Sequence, residues 1–195
     1  MPQLLIEFFS EEIPARMQKR AEDDLARLFN EATKGAHFGD LAIYTFSTPR
    51  RIGLLVDDLP SEAVATHQTR KGPRVGAPQQ AIEGFLKSTG LSSIDQAAIE
   101  GEEGKEFYVT RITRPALPTV GMLQSIIPEI VRAFPWPKSM RSGGGDLQWV
   151  RPLQNILCIL GGAPVKIAVD AVPSEAKTWG HRFHAPEIIR PKDFA

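Results

Sequence analysis

The sequence predicts an α+β fold, with mixed and antiparallel sheets flanked by helices. Three features carry that expectation. An apolar strand opens the chain, a long amphipathic helix follows it, and two strands joined by a short turn come next. This β-α-β-β opening is half of a split βαβ arrangement, or one lobe of an α+β domain.

Leu4-Leu5-Ile6-Glu7-Phe8-Phe9 is apolar apart from Glu7 and reads as a buried strand. Glu11 and Glu12 then precede Pro14, a favoured first-turn residue, and carboxylates suit that end of a helix dipole. Met17, Ala21, Leu25, Leu28, Phe29 and Ala32 follow at helical spacing, with Gly35 as the stop. Lys19, Arg20, Asp23, Asp24 and Arg27 fill the opposite face. Leu41–Phe46 and Arg51–Val56 read as strands, and Ser47-Thr48-Pro49-Arg50 turns between them.

From Ser61 to Pro78 the chain is polar and interrupted by Gly72, Pro73, Gly76 and Pro78. It contains a dense basic run, His67 to Arg74. A short helix is expected over Gln79–Ser88, with Ala81, Ile82, Phe85 and Leu86 inward and Gly90 as its end. Phe107–Thr113 has the β-branched content of a strand. Leu117–Phe134 has a helical period interrupted by Pro128, which predicts either a kink or two helices. Leu153–Leu160 reads as a buried strand, and Gly161–Pro164 turns into Val165–Val169. The expected organisation is a β-α-β-β lobe over residues 1–60 and a second α+β lobe over 61–195, meeting near Pro60 to Pro78. The last residues, Ile188 to Ala195, look like the approach to another element, so a piece of a longer protein is expected.

The bulk numbers exclude several classes. Of the 195 residues 42% are hydrophobic and 24% charged, an ordinary balance for a globular protein. The 23 basic and 23 acidic side chains cancel, which argues against a histone-like binder but leaves room for a local basic face. One cysteine, Cys158, rules out an intramolecular disulfide framework and a multi-cysteine zinc site. No charged n-region followed by an apolar h-region opens the chain, so no secretory signal is expected, and no apolar run approaches the roughly 20 residues of a membrane span. The default compartment is a reducing cytoplasm.

Pro135 to Pro152 is the most informative segment. It combines prolines, Trp136, Trp149, Lys138, Arg141, Arg151 and the glycine triplet Gly143–Gly145. Proline fixes φ and glycine frees it, so this is a shaped loop whose cations suit a polyanionic partner. The glycines do not make a P-loop: Asp146 follows where a lysine and a hydroxyl residue would be required. His181 and His184 could share one turn at a metal, but no third ligand is evident and Arg182 stands between them. Cys158 lies within an apolar strand, where a thiol is a small buried hydrophobe and not a nucleophile. Glu11 and Glu12 read as cap and dipole partners before an acid/base pair. His37 and His67 have no nearby Ser or Asp that would suggest a triad.

What remains are cations at turns and element boundaries: Arg50, Arg51, Arg70, Lys71, Arg74, Lys138, Arg141, Arg151, His181 and Arg182. Either they are solvated or internally paired, or several converge on a phosphate backbone. Tyr44, Trp136, Trp149 and Trp179 could stack on bases, with buried anchoring as the competing role.

Taken in order, the punctuated motifs resemble the N-terminal part of the β subunit of bacterial heterotetrameric glycyl-tRNA synthetase. They are Leu4–Glu7 with Glu11-Glu12-Ile13-Pro14-Ala15, then Thr48-Pro49-Arg50-Arg51, Arg70-Lys71-Gly72-Pro73 and Ala81–Phe85. Pro135–Arg141, Val150-Arg151-Pro152 and Gly180-His181-Arg182-Phe183 complete the series. Phe9-Ser10 stands where the family has Gly-Thr, and Ser142 where it has tryptophan.

The resemblance implies a β subunit much longer than this chain, with an anticodon-binding part nearer its C-terminus. It implies an α2β2 heterotetramer whose α subunit holds the class II site for glycine, ATP and Mg. No catalytic, cofactor or metal residue is then expected in this chain, and tRNA(Gly) is the expected nucleic-acid partner. The RNA-contact candidates are Arg50, Arg51, Arg70, Lys71, Lys138, Arg141, Arg151, His181 and Arg182. Two other readings stand beside this. One is a purely structural module whose arginines are bonded internally. The other is a small-molecule enzyme joining His181, Glu7 or Glu11 in one pocket, for which a deep cleft with a perturbed carboxylate or histidine would speak.

Overall fold

The structure is a computed structural model that describes residues 2–36, 38–63, 66–101, 106–114, 117–142 and 145–192, with backbone only at 66–68 and 111–114. His37, Gly143 and Gly144 lie outside the described residues, as does the side chain of His67. The fold is α+β. Two compact units form: residues 1–63 with 117–195, and residues 64–116. The chain leaves the larger unit after Ala63. The chain crosses back at Leu117, so 117–195 joins the opening lobe and does not build a second lobe with 61–116. Two amide hydrogen bonds close the larger unit where the chain leaves and re-enters it. Ala63 N–H donates to the Leu117 carbonyl and Thr119 N–H to the Ser61 carbonyl, both at 2.9 Å.

In the larger unit, β1 (Leu4–Ser10) is the central strand of an antiparallel five-stranded sheet. The sheet order is β10-β9-β1-β3-β2, with β2 Ala42–Thr48, β3 Arg51–Asp57, β9 Leu153–Leu160 and β10 Ala163–Pro164. Every residue of β1 is buried, because the sheet is covered on both faces there. Leu4, Ile6 and Phe8 pair with Val56, Leu54 and Ile52 on one side and with Leu160, Cys158 and Ile156 on the other. This face packs against α1 (Ala15–Thr33) and α3 (Thr119–Arg132) in one continuous core. Met17, Ala21, Leu25 and Phe29 supply the α1 stripe. Thr33 extends it and bonds back to the Phe29 carbonyl at 2.8 Å.

The helices correct one expectation and decide between two alternatives in another. Pro14 caps α1 with no side-chain hydrogen bond and no acidic residue in the first turn, so Glu11 and Glu12 do not cap it. α3 is one helix, with Pro128 buried inside it.

In the smaller unit, β4 (Thr66–Arg74), β6 (Phe107–Arg114) and β5 (Ala98–Glu100) form an antiparallel sheet in the order β4-β6-β5. The basic run is therefore a strand, not a broken loop. Its pairing with β6 slips between Lys71 and Arg74, so Gly72 and Pro73 occupy the irregularity where a missing N–H costs no ladder bond. α2 (Gln79–Thr89) buries Phe85, whereas Ala81 is exposed and Ile82 and Leu86 are half-buried.

The segment 135–152 contains a short ribbon, β7 (Met140–Arg141) paired with β8 (Gln148–Trp149). Trp149 is buried at its base and packs edge-on to Trp136, with centroids 5.0 Å apart. Phe134 and Phe8 complete the aromatic cluster at 5.0 and 5.7 Å from Trp149. Such pairs add about 0.5–1.5 kcal/mol each beyond burial. The tryptophans are thus anchors rather than stacking platforms.

Candidate functional site

The face of the sheet turned away from the helices carries Leu5, Glu7 and Phe9 of β1. Alternation along the paired strands adds Phe46 and Thr48 of β2, Arg51 of β3 and Leu157 of β9. Phe46 lies opposite Gly53, where a Cβ would meet its ring at 2.1 Å. Only a glycine lets that ring lie flat on the sheet. The remainder of this face is overlaid by the ribbon of β11 (Thr178–Trp179) and β12 (Ile188–Ile189). Between sheet and ribbon is an open cavity of about 880 Å³.

Glu7 is the buried charge of the cavity. It accepts a short hydrogen bond from Thr178 Oγ1, and Arg51 Nε stands 3.1 Å from its Oε2. That N–H is not aligned for a hydrogen bond, so the contact is coulombic. Burial pushes the Glu7 carboxyl above the usual carboxylate range, against the opposing pull of Thr178 and Arg51. Arg51 Nη2 donates to the Trp179 carbonyl, and Trp179 stacks on Phe9 with centroids 4.8 Å apart.

The two-residue turn Pro49-Arg50 sets Arg50 at the cavity edge. Its Nε donates to the Ser10 carbonyl at 3.3 Å and its Nη2 to Gln154 Oε1 at 3.1 Å. Glu11 is 3.5 Å from the same Nη2, and Gln154 also donates to Glu11. Glu11 is therefore a latch between strands. The Arg50 guanidinium lies 4.7 Å from the Phe9 ring centre.

The opposite lip is the tight turn after Gly180, where a Cβ would meet the Ala185 carbonyl oxygen at 2.0 Å. His181 Nδ1 accepts from the amides of Phe183 and His184, each at 3.3 Å, and its ring stacks on His184 at 4.6 Å. The imidazoles are stacked, not splayed around a common point. Among the described residues no three His, Cys, Asp or Glu side chains gather as a metal site. Arg182 lies 3.5 Å from Glu12, both more than half exposed.

The structure thus brings Arg50, Arg51, His181 and Arg182 together around one cavity. Arg50 and Arg51 are tied down internally; His181 and Arg182 are exposed. Lys138, Arg141 and Arg151 are exposed on the 135–152 segment, Arg141 beside Asp146 at 3.5 Å and Arg151 donating to the Val150 carbonyl. Arg70 and Lys71 belong to the smaller unit and are exposed on β4. There Arg70 donates to the Ser88 carbonyl at 3.0 Å and Lys71 Nζ lies 3.6 Å from the Phe107 ring centre. Cys158 faces the core, and burial pushes its thiol up to about 12. Among the described residues no helix is long and apolar enough to cross a membrane.

A protein-family model for the glycyl-tRNA synthetase beta subunit matches residues 4–195. The chain belongs to the glycyl-tRNA synthetase beta subunit family. Among relatives, the glycine–tRNA ligase beta subunit of Paracoccus denitrificans is 42% identical over 198 residues, covering 100% of this chain and 29% of its own length. Those of two Cereibacter sphaeroides strains are 44% and 45% identical over 190 residues, covering 95% of this chain and 27% of their own length. The chain thus spans under a third of the length of these beta subunits.

Sequence reasoning missed Phe9, Phe46, Leu157 and Thr178 as cavity residues. The available signal was Glu7, a carboxylate inside an otherwise apolar strand.

Proposed function

We propose that this chain is a non-catalytic part of glycine–tRNA ligase that builds the β-subunit scaffold and offers cations to tRNA(Gly). In this reading an α subunit supplies the site for glycine, ATP and Mg, within a cytoplasmic α2β2 heterotetramer. The family membership supports the ligase role. The observation that carries the RNA contact is the ribbon at 135–152. Trp149 anchors its base in the core while Lys138, Arg141 and Arg151 stay exposed. Cations beside an anchored ribbon can meet phosphate while staying solvated in the free chain. Arg70, Lys71, His181 and Arg182 are exposed in the same way. Arg50 and Arg51 instead hold chain segments together, so their role in this reading is structural.

Labelled tRNA(Gly) titrated at two salt concentrations tests the proposal. Weak binding with a steep fall in affinity as salt rises is expected. Tight, salt-insensitive binding would contradict backbone tracking. Pyrophosphate exchange with glycine and ATP by this chain alone would overturn the assignment of catalysis to a partner.

One observation favours the small-molecule enzyme: a cavity of about 880 Å³ holds Glu7, whose carboxyl is perturbed upward. Against it, Glu7 already accepts from Thr178 and faces Arg51, and His181 Nδ1 is occupied by backbone amides. Neither is poised to move a substrate proton.

A further inference from the structure

We propose that the cavity between the sheet and the β11–β12 ribbon is a binding site for one unpaired nucleotide, its base on the apolar floor and its phosphate at the Arg182 lip. The inference rests on the reading that this chain meets RNA, and it names a place and a chemistry for one such contact.

The floor is made by Leu5, Phe46 and Leu157, and its wall by the stacked pair Phe9 and Trp179. Gly53 keeps the Phe46 ring flat against the sheet. A planar, apolar ledge beside aromatic faces suits a nucleobase, which every unstacked RNA position can present. At about 880 Å³ the space lies in the range of small-ligand pockets and is ample for one nucleotide.

The mouth has the opposite character. Three guanidinium groups, Arg50, Arg51 and Arg182, line the cavity against two carboxylates, Glu7 and Glu12. Arg50 and Arg51 are committed to protein acceptors. Arg182 pairs with Glu12 at 3.5 Å and lies 5.8 Å from the Phe183 ring centre, and the ion pair is more than half exposed on both sides. An exposed pair of this kind is weak, so a phosphate displaces Glu12 readily. Phe183 next to it is 79% exposed, a large apolar ring at the lip with little protein cover. Stacking on a base or ribose covers that ring.

Calorimetric titration of the whole chain tests this with adenosine 5′-monophosphate, a single-stranded adenosine trinucleotide and a blunt RNA duplex. The monophosphate and the trinucleotide are expected to bind at sub-millimolar concentration and the duplex only through salt-sensitive surface contacts. Arg182→Glu and Phe183→Ala, both at exposed positions, are expected to weaken trinucleotide binding at least tenfold while leaving the urea midpoint unchanged. Binding of the monophosphate without the trinucleotide supports the site and removes an RNA strand as its source. Trinucleotide binding that neither substitution weakens overturns the proposal. So does absence of binding by both small probes while tRNA still binds with a steep salt slope; the surface reading then survives alone. Pocket binding with no tRNA binding has the reverse meaning: the cavity stands and the surface reading fails.

Discussion

Arg51 sits opposite Phe9 in the β1–β3 register and reaches diagonally to Glu7, with Nε 3.1 Å from Oε2. Both side chains are largely withdrawn from water, at 18% and 7% exposure. Arg51 also holds the Trp179 carbonyl, so the pair fastens the overlying ribbon to the sheet. Removing one partner leaves the other buried and unpaired. Arg51→Ala should therefore cost about 2–3 kcal/mol, less than a fully buried pair because Arg51 keeps some water. Urea unfolding measures it; a loss below about 0.5 kcal/mol would mean the pair holds nothing.

The same carboxylate gives a pH signature. Burial raises the folded pKa of Glu7 above its ordinary value of 4.5, so the folded state binds this proton more tightly than the unfolded chain. The contribution of Glu7 is then fully present below about 4.5 and is lost as pH rises through the raised folded value. Glu7→Gln keeps a carbonyl oxygen for the Thr178 hydroxyl and removes the titration. Relative to this variant, the natural chain should lose stability as pH rises from about 4.5 through the raised folded value. A relative gain over that interval would show that the Arg51 attraction outweighs desolvation.

Gly53→Ala is expected to be severe for a single methyl. The new Cβ would lie 2.1 Å from Phe46 Cζ, and the ring must leave the sheet. Overpacking of this kind costs about 1–3 kcal/mol. In the double variant Phe46→Ala/Gly53→Ala the clash is gone, so the cost of Gly53→Ala should fall to a few tenths. Additive losses in the cycle would remove the steric explanation.

Much of this could be read from local pattern, and what could not be has a physical reason. α1 was legible because Met17, Ala21, Leu25 and Phe29 share one helical face that a single core buries. β4 was hidden because Gly72 and Pro73 punctuate it, whereas β6 tolerates them as a register shift. The return of the chain at Leu117 leaves no compositional mark; it is set by backbone bonds to Ser61 and Ala63. The cavity joins residues far apart in sequence, Glu7 with Thr178 and Arg51 with Trp179. No local period encodes such meetings. Of the chosen cations, Arg70 and Lys71 lie within β4 and not at a turn, and local pattern does not separate Arg50, bonded on several sides, from the exposed Lys138.

Cys158 should resist modification in the folded chain. It lies in β9 on the helix-facing side of the sheet, and burial holds its thiol at about 12. The thiolate that attacks a disulfide reagent is then almost absent at neutral pH. Aromatic disulfide reagent should release no chromophore until urea unfolds the protein, after which one equivalent appears, matching the single cysteine. Rapid release without denaturant would place the thiol in a solvent path.

Arg50 and Lys138 should separate fold from RNA contact. Arg50 bridges the Ser10 carbonyl, Glu11 and Gln154, tying three segments of the sheet end together. Arg50→Ala should lower stability by about 1–2 kcal/mol, the loss of charge-assisted bonds with partial solvent compensation. Its effect on the salt slope of tRNA binding should be small, because its guanidinium faces protein acceptors. Lys138 is exposed at the end of the anchored aromatic cluster, so Lys138→Ala should change stability by less than about 0.5 kcal/mol. If it meets a phosphate, the substitution should weaken tRNA binding and reduce the salt slope by about 1. Both variants are read by urea midpoint and by tRNA titration at several salt concentrations. A Lys138→Ala protein with an unchanged slope and a destabilised fold would reverse the two assignments, making the ribbon cation a structural group.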